Sequence, residues 1–129
     1  MQKQYSFKIK TYLNAAHAIR WEDKTGQTHP HTWEIITQIK ALDQTNFPNY
    51  RFTQIEELLA EVLKPFDQST LNHIAPFDKL NPTIENFTDH LFDQFDQALT
   101  KLDCQLLTLE VAESPTRSCV ITITEKGEQ

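Results

Sequence analysis

Cysteine is scarce in this chain and long apolar runs are missing, and each absence narrows what the protein can be. Cys104 and Cys119 are the only cysteines and stand far apart with no C-x-x-C spacing. Neither a thiolate metal site nor a disulfide framework is signalled, and each is expected to be a buried, inert thiol. No apolar stretch approaches the roughly 20 residues that a membrane-spanning helix needs, so no membrane partner is expected. Cations are also few. The 12 Lys and Arg against 18 Asp and Glu leave a formal net charge of −6, and the basic residues are scattered, which argues against nucleic acid as a partner. A small anionic ligand is still allowed, because a pocket needs only a few local cations or a metal to hold a phosphate. The opening residues, MQKQYSFKIK, hold neither an apolar segment nor a small-residue cleavage site, so a cytoplasmic address is expected.

What is present suits one domain spanning residues 1–129, long enough for one core and too short for two. Tyr5, Phe7, Ile9, Thr11 and Leu13 alternate with Ser6, Lys8 and Lys10, the period-2 pattern of a half-buried strand. Polar residues from Arg20 to Thr28, around Gly26, then predict a loop. Alternation resumes with His29, His31, Trp33, Ile35, Thr37 and Ile39 on one face, with a slip at Ile36. After a turn-rich stretch from Asp43 to Tyr50, Ile55, Leu58, Leu59, Val62 and Leu63 recur at helical spacing. Thr53 and Glu56 would make a capping box there, and Pro65 ends the helix. A second helix opens at Asn81-Pro82-Thr83, with Asn81 or Thr83 as its cap, and carries a stripe of Ile84, Phe87, Leu91, Phe95 and Leu99.

Two strands follow. Leu107, Leu109, Val111 and Glu113 are expected on one face of the first, and Ser114, Pro115 and Thr116 turn it into a last strand from Arg117 to Thr124. The order strand, strand, helix, helix, strand, strand predicts an α+β fold, a four-stranded antiparallel sheet with two helices on one face. Such a sheet has two open edges, and open edges invite pairing with another copy of the chain. A homo-oligomer is the expectation.

Three of the five histidines fall between positions 17 and 31. Residues i and i+2 of a strand point to the same side, so His29 and His31 can converge on one ion, and His17 at the end of the neighbouring strand can supply a third nitrogen. Three protein ligands and a vacant position is the arrangement of a catalytic zinc. The plainer alternative is a pair of strand histidines that stack or sit solvated. Pro30, between them, cannot donate to a ladder and places the site at a strand start or edge. His73 and His90 fit no such pattern, and His90 is expected at the surface.

At this point the sequence resembles the 6-pyruvoyl-tetrahydropterin synthase and 6-carboxytetrahydropterin synthase family. Leu13-Asn14-Ala15-Ala16-His17 is similar to the family's F-x-A-A-H, and His29-Pro30-His31 to its H-G-H. Phe66-Asp67 with Leu71-Asn72 resembles L-D-H-x-x-L-N, Asn81-Pro82-Thr83-Ile84-Glu85-Asn86 resembles N-P-T-x-E-N, and Val111-Ala112-Glu113-Ser114 resembles V-x-E-T/S. Five motifs in the right order are far more specific than any one. The resemblance implies a tunnelling fold, in which subunits join their sheets into a barrel, such as a hexamer, with pterin pockets between neighbouring chains. It implies Zn2+ on His17, His29 and His31, a substrate of the 7,8-dihydroneopterin triphosphate type, and a lyase of this family, whose 6-carboxy branch serves queuosine biosynthesis. It also implies that Glu113 anchors the pterin ring, since a carboxylate can accept two parallel hydrogen bonds from the ring N–H and amino group.

The departures concern proton transfer. The family's cysteine base stands four residues before H-G-H, and Thr25 is the residue here. The histidine of L-D-H is matched by Gln68, so Asp67 keeps its place without its partner. Glu22, Asp23 and His73 are the candidate substitutes. Two functions are therefore expected to compete: a zinc-dependent enzyme with an altered base, and a non-catalytic zinc-containing protein that binds a pterin or purine-like ring.

Overall fold

The computed structural model describes residues 1–124. Strand β1 runs Ser6–His17 and, after two two-residue strands, β2 (Arg20–Trp21) and β3 (Lys24–Thr25), the chain enters β4 at His29–Ala41. The β1–β4 pairing is antiparallel from Ser6↔Lys40 to His17↔His29, without a slip, so both long strands keep one face inward throughout. Phe7, Ile9, Leu13, Ala15, Trp33, Ile35, Thr37 and Ile39 are buried as the alternation requires, whereas Ile36 is only half-buried on the outer face. The segment Arg20–Thr28 is not a plain loop. β2 and β3 form a tight hairpin through Glu22, at φ 55, and Asp23. Gly26 lets that hairpin close on the strand end, since its N–H donates to the Ile19 carbonyl at 2.7 Å and a Cβ on it would meet the Trp21 ring at 3.0 Å.

Helix α1 (Phe52–Leu63) buries Ile55, Leu59 and Leu63. Its N-cap is Arg51 in extended backbone, and no side-chain cap bond is made, so the Thr53–Glu56 capping box does not form. The physical reason is tertiary. Phe52 packs edge-on against Phe7 at 5.1 Å, which draws the start of the helix upstream of Thr53. Helix α2 (Ile84–Leu99) is capped by Thr83, whose hydroxyl accepts the Asn86 N–H at 3.1 Å. Phe87, Leu91, Phe95 and Leu99 are completely buried against the sheet, each contributing about 1.5–3 kcal/mol of transfer free energy. His90 is half-buried and not fully exposed as its place on the polar side of the helix suggests. Its ring lies 5.4 Å from Phe77 and 5.9 Å from Phe66, and burial lowers its pKa from the ordinary value.

The sheet departs from four antiparallel strands in one respect. A fifth strand, β5 (Ser69–Thr70), lies parallel to β1 and gives the order β5-β1-β4-β6-β7, where β6 is Cys104–Ser114 and β7 is Arg117–Thr122. Gln68 makes this possible. At φ 60 it reverses the chain after α1, and its N–H donates to Asn14 O at 2.6 Å. Two register shifts mark β6. The first lets Leu106 and Leu109 both face the core, so Leu107 does not share the face of Leu109 and Val111. The second falls between Ala112 and Ser114 against β7 and leaves Glu113 without a cross-strand partner. Cys104 is buried, its thiol pushed up to about 11, and Cys119 is half-buried on β7. No helix among the described residues is long and apolar enough to cross a membrane.

Candidate metal centre

The end of the β1–β4 ladder brings the three histidines together. His17 stands opposite His29, and His31 follows on the same side of β4. Their ring centroids are 4.5, 5.0 and 4.7 Å apart with steep interplanar angles, and one ligand atom from each lies within 4.8 Å of the others. Beneath them Trp33, fully buried, meets His17 at 5.1 Å and His31 at 5.2 Å, and rests on Phe87 at 5.1 Å. Its indole N–H donates to the Ala15 carbonyl at 3.0 Å, so the floor of the cluster is fixed to β1.

Backbone carbonyls set the tautomers. His17 Nδ1 lies 2.8 Å from Pro82 O and His29 Nδ1 lies 3.0 Å from Gln27 O. A carbonyl only accepts, so both Nδ1 atoms carry the proton and both Nε2 atoms are left with a free lone pair. The Nε2 atoms of His17 and His31 are buried with no hydrogen-bond partner. Buried polar nitrogens without a partner cost free energy unless something fills them. A metal ion bound by all three imidazoles would satisfy them at once, and a ring held by an outer carbonyl is the usual support for such a ligand. Burial lowers the His17 pKa, with His29 and His31 adding to the effect against the Pro82 bond and Glu113. Burial lowers His31 too, with the Glu113 carboxylate opposing. Both rings are thereby held neutral near pH 7, the form that binds a metal.

The Pro82 carbonyl is available because α2 begins where it does. Thr83 is the cap, so Pro82 precedes the helix and its carbonyl accepts no helical bond. Asn81 pins this segment to the chain leaving β1, with its side chain accepting from Arg20 N at 2.8 Å and donating to Arg20 O at 2.7 Å. Asn72 does the same to Ala18, at 2.8 Å in both directions. The sequence motifs around Asn72 and Asn81 were visible, but their service to His17 was not. It runs through a backbone carbonyl, which has no residue signature.

Glu113 approaches the cluster from β6. Its Oε2 is 3.9 Å from both His17 Nε2 and His31 Nε2, and its Oε1 is 3.7 Å from Arg117 Nε. Glu113 and His31 line an open cavity of about 730 Å³ together with Arg117 and Tyr12. The proton-transfer candidates are not drawn in. Thr25, Glu22, Asp23 and His73 are exposed and make no hydrogen bond or ion pair to the histidines among the described residues. Asp67 Oδ1 accepts from Asn14 N at 3.3 Å. Gln68 reaches the neighbourhood more closely, lining a second cavity with His31.

An α+β sheet of this order, with three histidines gathered at one end where they could hold a metal ion, is the arrangement on which the family assignment bears. Residues 6–124 match the profile of the 6-pyruvoyl tetrahydropterin synthase family, and the chain belongs to that family. A protein of Archaeoglobus fulgidus assigned by name as a 6-carboxy-5,6,7,8-tetrahydropterin synthase is 27% identical over 94 residues, 73% of this chain and 78% of its own. Among solved structures, the 6-pyruvoyl tetrahydropterin synthase of Caenorhabditis elegans superimposes with a TM-score of 0.80 at 16% identity, over 95% of this chain and 97% of its own. That of Plasmodium vivax gives 0.70 at 13% identity, over 95% and 100%. Variants of a catalytic glutamate in the Plasmodium vivax protein have also been solved. At these identities the structures establish a shared fold.

Proposed function

We propose that this chain is a zinc-dependent protein of the 6-pyruvoyl/6-carboxytetrahydropterin synthase kind. Its substrate is a dihydropterin such as 7,8-dihydroneopterin triphosphate, and it works as a cytoplasmic, barrel-forming homo-oligomer. One observation carries this reading: His17 and His31 aim buried, unpartnered Nε2 atoms into a shared centre with His29, beside a cavity that also takes in Glu113. His17, His29 and His31 would hold the zinc, which would supply Lewis acidity to a substrate oxygen and acidify the adjacent C–H. The residues of the chain do the rest. Trp33 and the Pro82 and Gln27 carbonyls hold the imidazoles in place. Glu113 orients the ring through its N–H and amino group, and the barrel neighbour covers the open cavity.

Proton movement falls to a carboxylate of the β2–β3 hairpin, Glu22 or Asp23. The catalytic glutamate of the Plasmodium vivax relative supports a carboxylate in this role. A second reading stands on the exposure of Thr25 and the loss of the histidine at Gln68. On that reading the protein binds a pterin or purine-like ring without converting it. Zinc-loaded protein incubated with 7,8-dihydroneopterin triphosphate, with products followed by mass spectrometry, separates the two. Formation of a new tetrahydropterin supports the enzyme; saturable ring binding with no product replaces it with the binding protein.

A further inference from the structure

We propose that Glu113 closes the metal centre as a fourth ligand in the ligand-free protein, and that a ring engaging this carboxylate opens it. The inference rests on the metal reading above and deepens it.

The geometry points this way from three directions. The first is distance. Ligands around one tetrahedral ion at 2.0–2.1 Å stand about 3.3 Å apart, and Glu113 Oε2 is 3.9 Å from two of the three ligand nitrogens. The histidine ligand atoms themselves lie within 4.8 Å of one another. The carboxylate oxygen therefore stands beside two of the three ligand nitrogens, within reach of an ion that the three imidazoles hold. The second is backbone. The register shift between Ala112 and Ser114 removes Glu113 from the β6–β7 ladder. Bulges of this kind re-aim a side chain, and the β4 segment from His29 to Trp33 has no partner from β6, so the bulged residue finds that edge open.

The third is charge. The Glu113 side chain is 13% exposed, and the one full cation it meets among the described residues is Arg117, itself 76% exposed. At 3.7 Å the Arg117 contact is too long for a hydrogen bond and is worth little in water. A carboxylate this withdrawn needs a stronger partner, and a metal on the three imidazoles would be one. Arg117 then keeps Oε1 turned outward while Oε2 faces the centre.

The consequence is a link between recognition and reactivity. A ring that offers two N–H donors to Glu113 competes with the metal for the same carboxylate, so the open coordination position appears when the correct ring has arrived. An anion without such donors meets a closed centre.

The test uses the full chain loaded with zinc or cobalt(II), comparing wild type with Glu113→Gln, which keeps shape and loses the anionic ligand. Zinc affinity is read by chelator competition, and access to the metal by azide titration of the cobalt(II) visible spectrum. The expected result is zinc affinity about 10–100-fold lower in Glu113→Gln, the range found when support around a metal is removed, together with azide binding at concentrations at least tenfold lower than in wild type. Unchanged zinc affinity and unchanged azide response in Glu113→Gln overturn the fourth-ligand assignment while leaving the three-histidine metal site standing. Failure of the wild type to bind zinc or cobalt(II) at all overturns both. Circular dichroism of the metal-free variant checks that the comparison is made between folded proteins.

Discussion

His29 and Thr25 are only four residues apart in the chain, yet the structure treats them in opposite ways. His29 lies at the end of a thirteen-residue strand, paired with His17, its Nδ1 held by a carbonyl and its ring wedged against two others. Thr25 ends a two-residue strand on an exposed hairpin. The three histidines are built into the ends of the long strands, whereas Thr25 and Gln68 sit on short connecting segments. A metal ligand set tolerates little error in position, so it belongs on rigid elements. A side chain carried on a connecting segment is less constrained, and Thr25 and Gln68 are the positions where the sequence departs from the motifs of the family it resembles.

The largest expected effect breaks the rigid half. His31→Ala should reduce copurifying zinc from about one per chain to near zero, measured by elemental analysis after dialysis, since one of three ligands is gone. Thr25→Ala, prepared in parallel, should keep its zinc. Full occupancy in His31→Ala would show that the histidines are not the metal site. The fold should survive, because the His31 side chain is 19% exposed and lies at the strand end.

A somewhat smaller effect is expected from repairing the variable half. Positioned acid–base groups contribute about 10²–10⁴-fold each. Thr25→Cys combined with Gln68→His should therefore raise the rate of product formation from 7,8-dihydroneopterin triphosphate by at least about 10²-fold over wild type. Initial rates by mass spectrometry give the answer. An unchanged rate would mean that the hairpin holds residue 25 away from the metal and that exposure of Thr25 is a lasting feature of this fold.

The same contrast explains what the sequence could reveal. The long strands and the histidine cluster were legible because both depend on local spacing: period-2 alternation over β1 and β4, and two histidines two apart on one face. The α2 stripe was legible for the same reason. What stayed hidden depends on pairing between distant segments. β5 is two residues long, has no periodicity of its own, and exists because Gln68 turns at positive φ onto Asn14. The register shifts in β6, which move Leu107 off the core face and free Glu113, are properties of two strands and not of one. The β2–β3 hairpin lacks the Asn-Gly or Asp-Gly signal of a tight turn, using Glu22 and Asp23 instead. His90 looked polar on its helix because the aromatic rings of Phe66 and Phe77 come from elsewhere in the chain.

The smallest expected effect probes the seam between the two halves, where the Asn81–Thr83 segment meets β1. Asn81→Ala deletes both bonds to the Arg20 backbone, leaving a donor and an acceptor partly buried and unpaired, at a cost of about 1–3 kcal/mol each at most. The melting temperature should fall. Lost stability alone would follow from any structural asparagine, so the discriminating measurement is metal affinity. Asn81 fixes the residue that precedes Pro82, and the Pro82 carbonyl holds the His17 tautomer. Loosening it should weaken zinc binding by about tenfold, the low end for an outer support of a ligand. Asn72→Ala removes equivalent bonds to Ala18 without touching the Pro82 segment, so it should lower the melting temperature by a similar amount with a smaller change in zinc affinity. Equal losses of zinc affinity in the two variants would show that both asparagines act only by holding the strand end, and that the Pro82 carbonyl does not orient His17 independently of it.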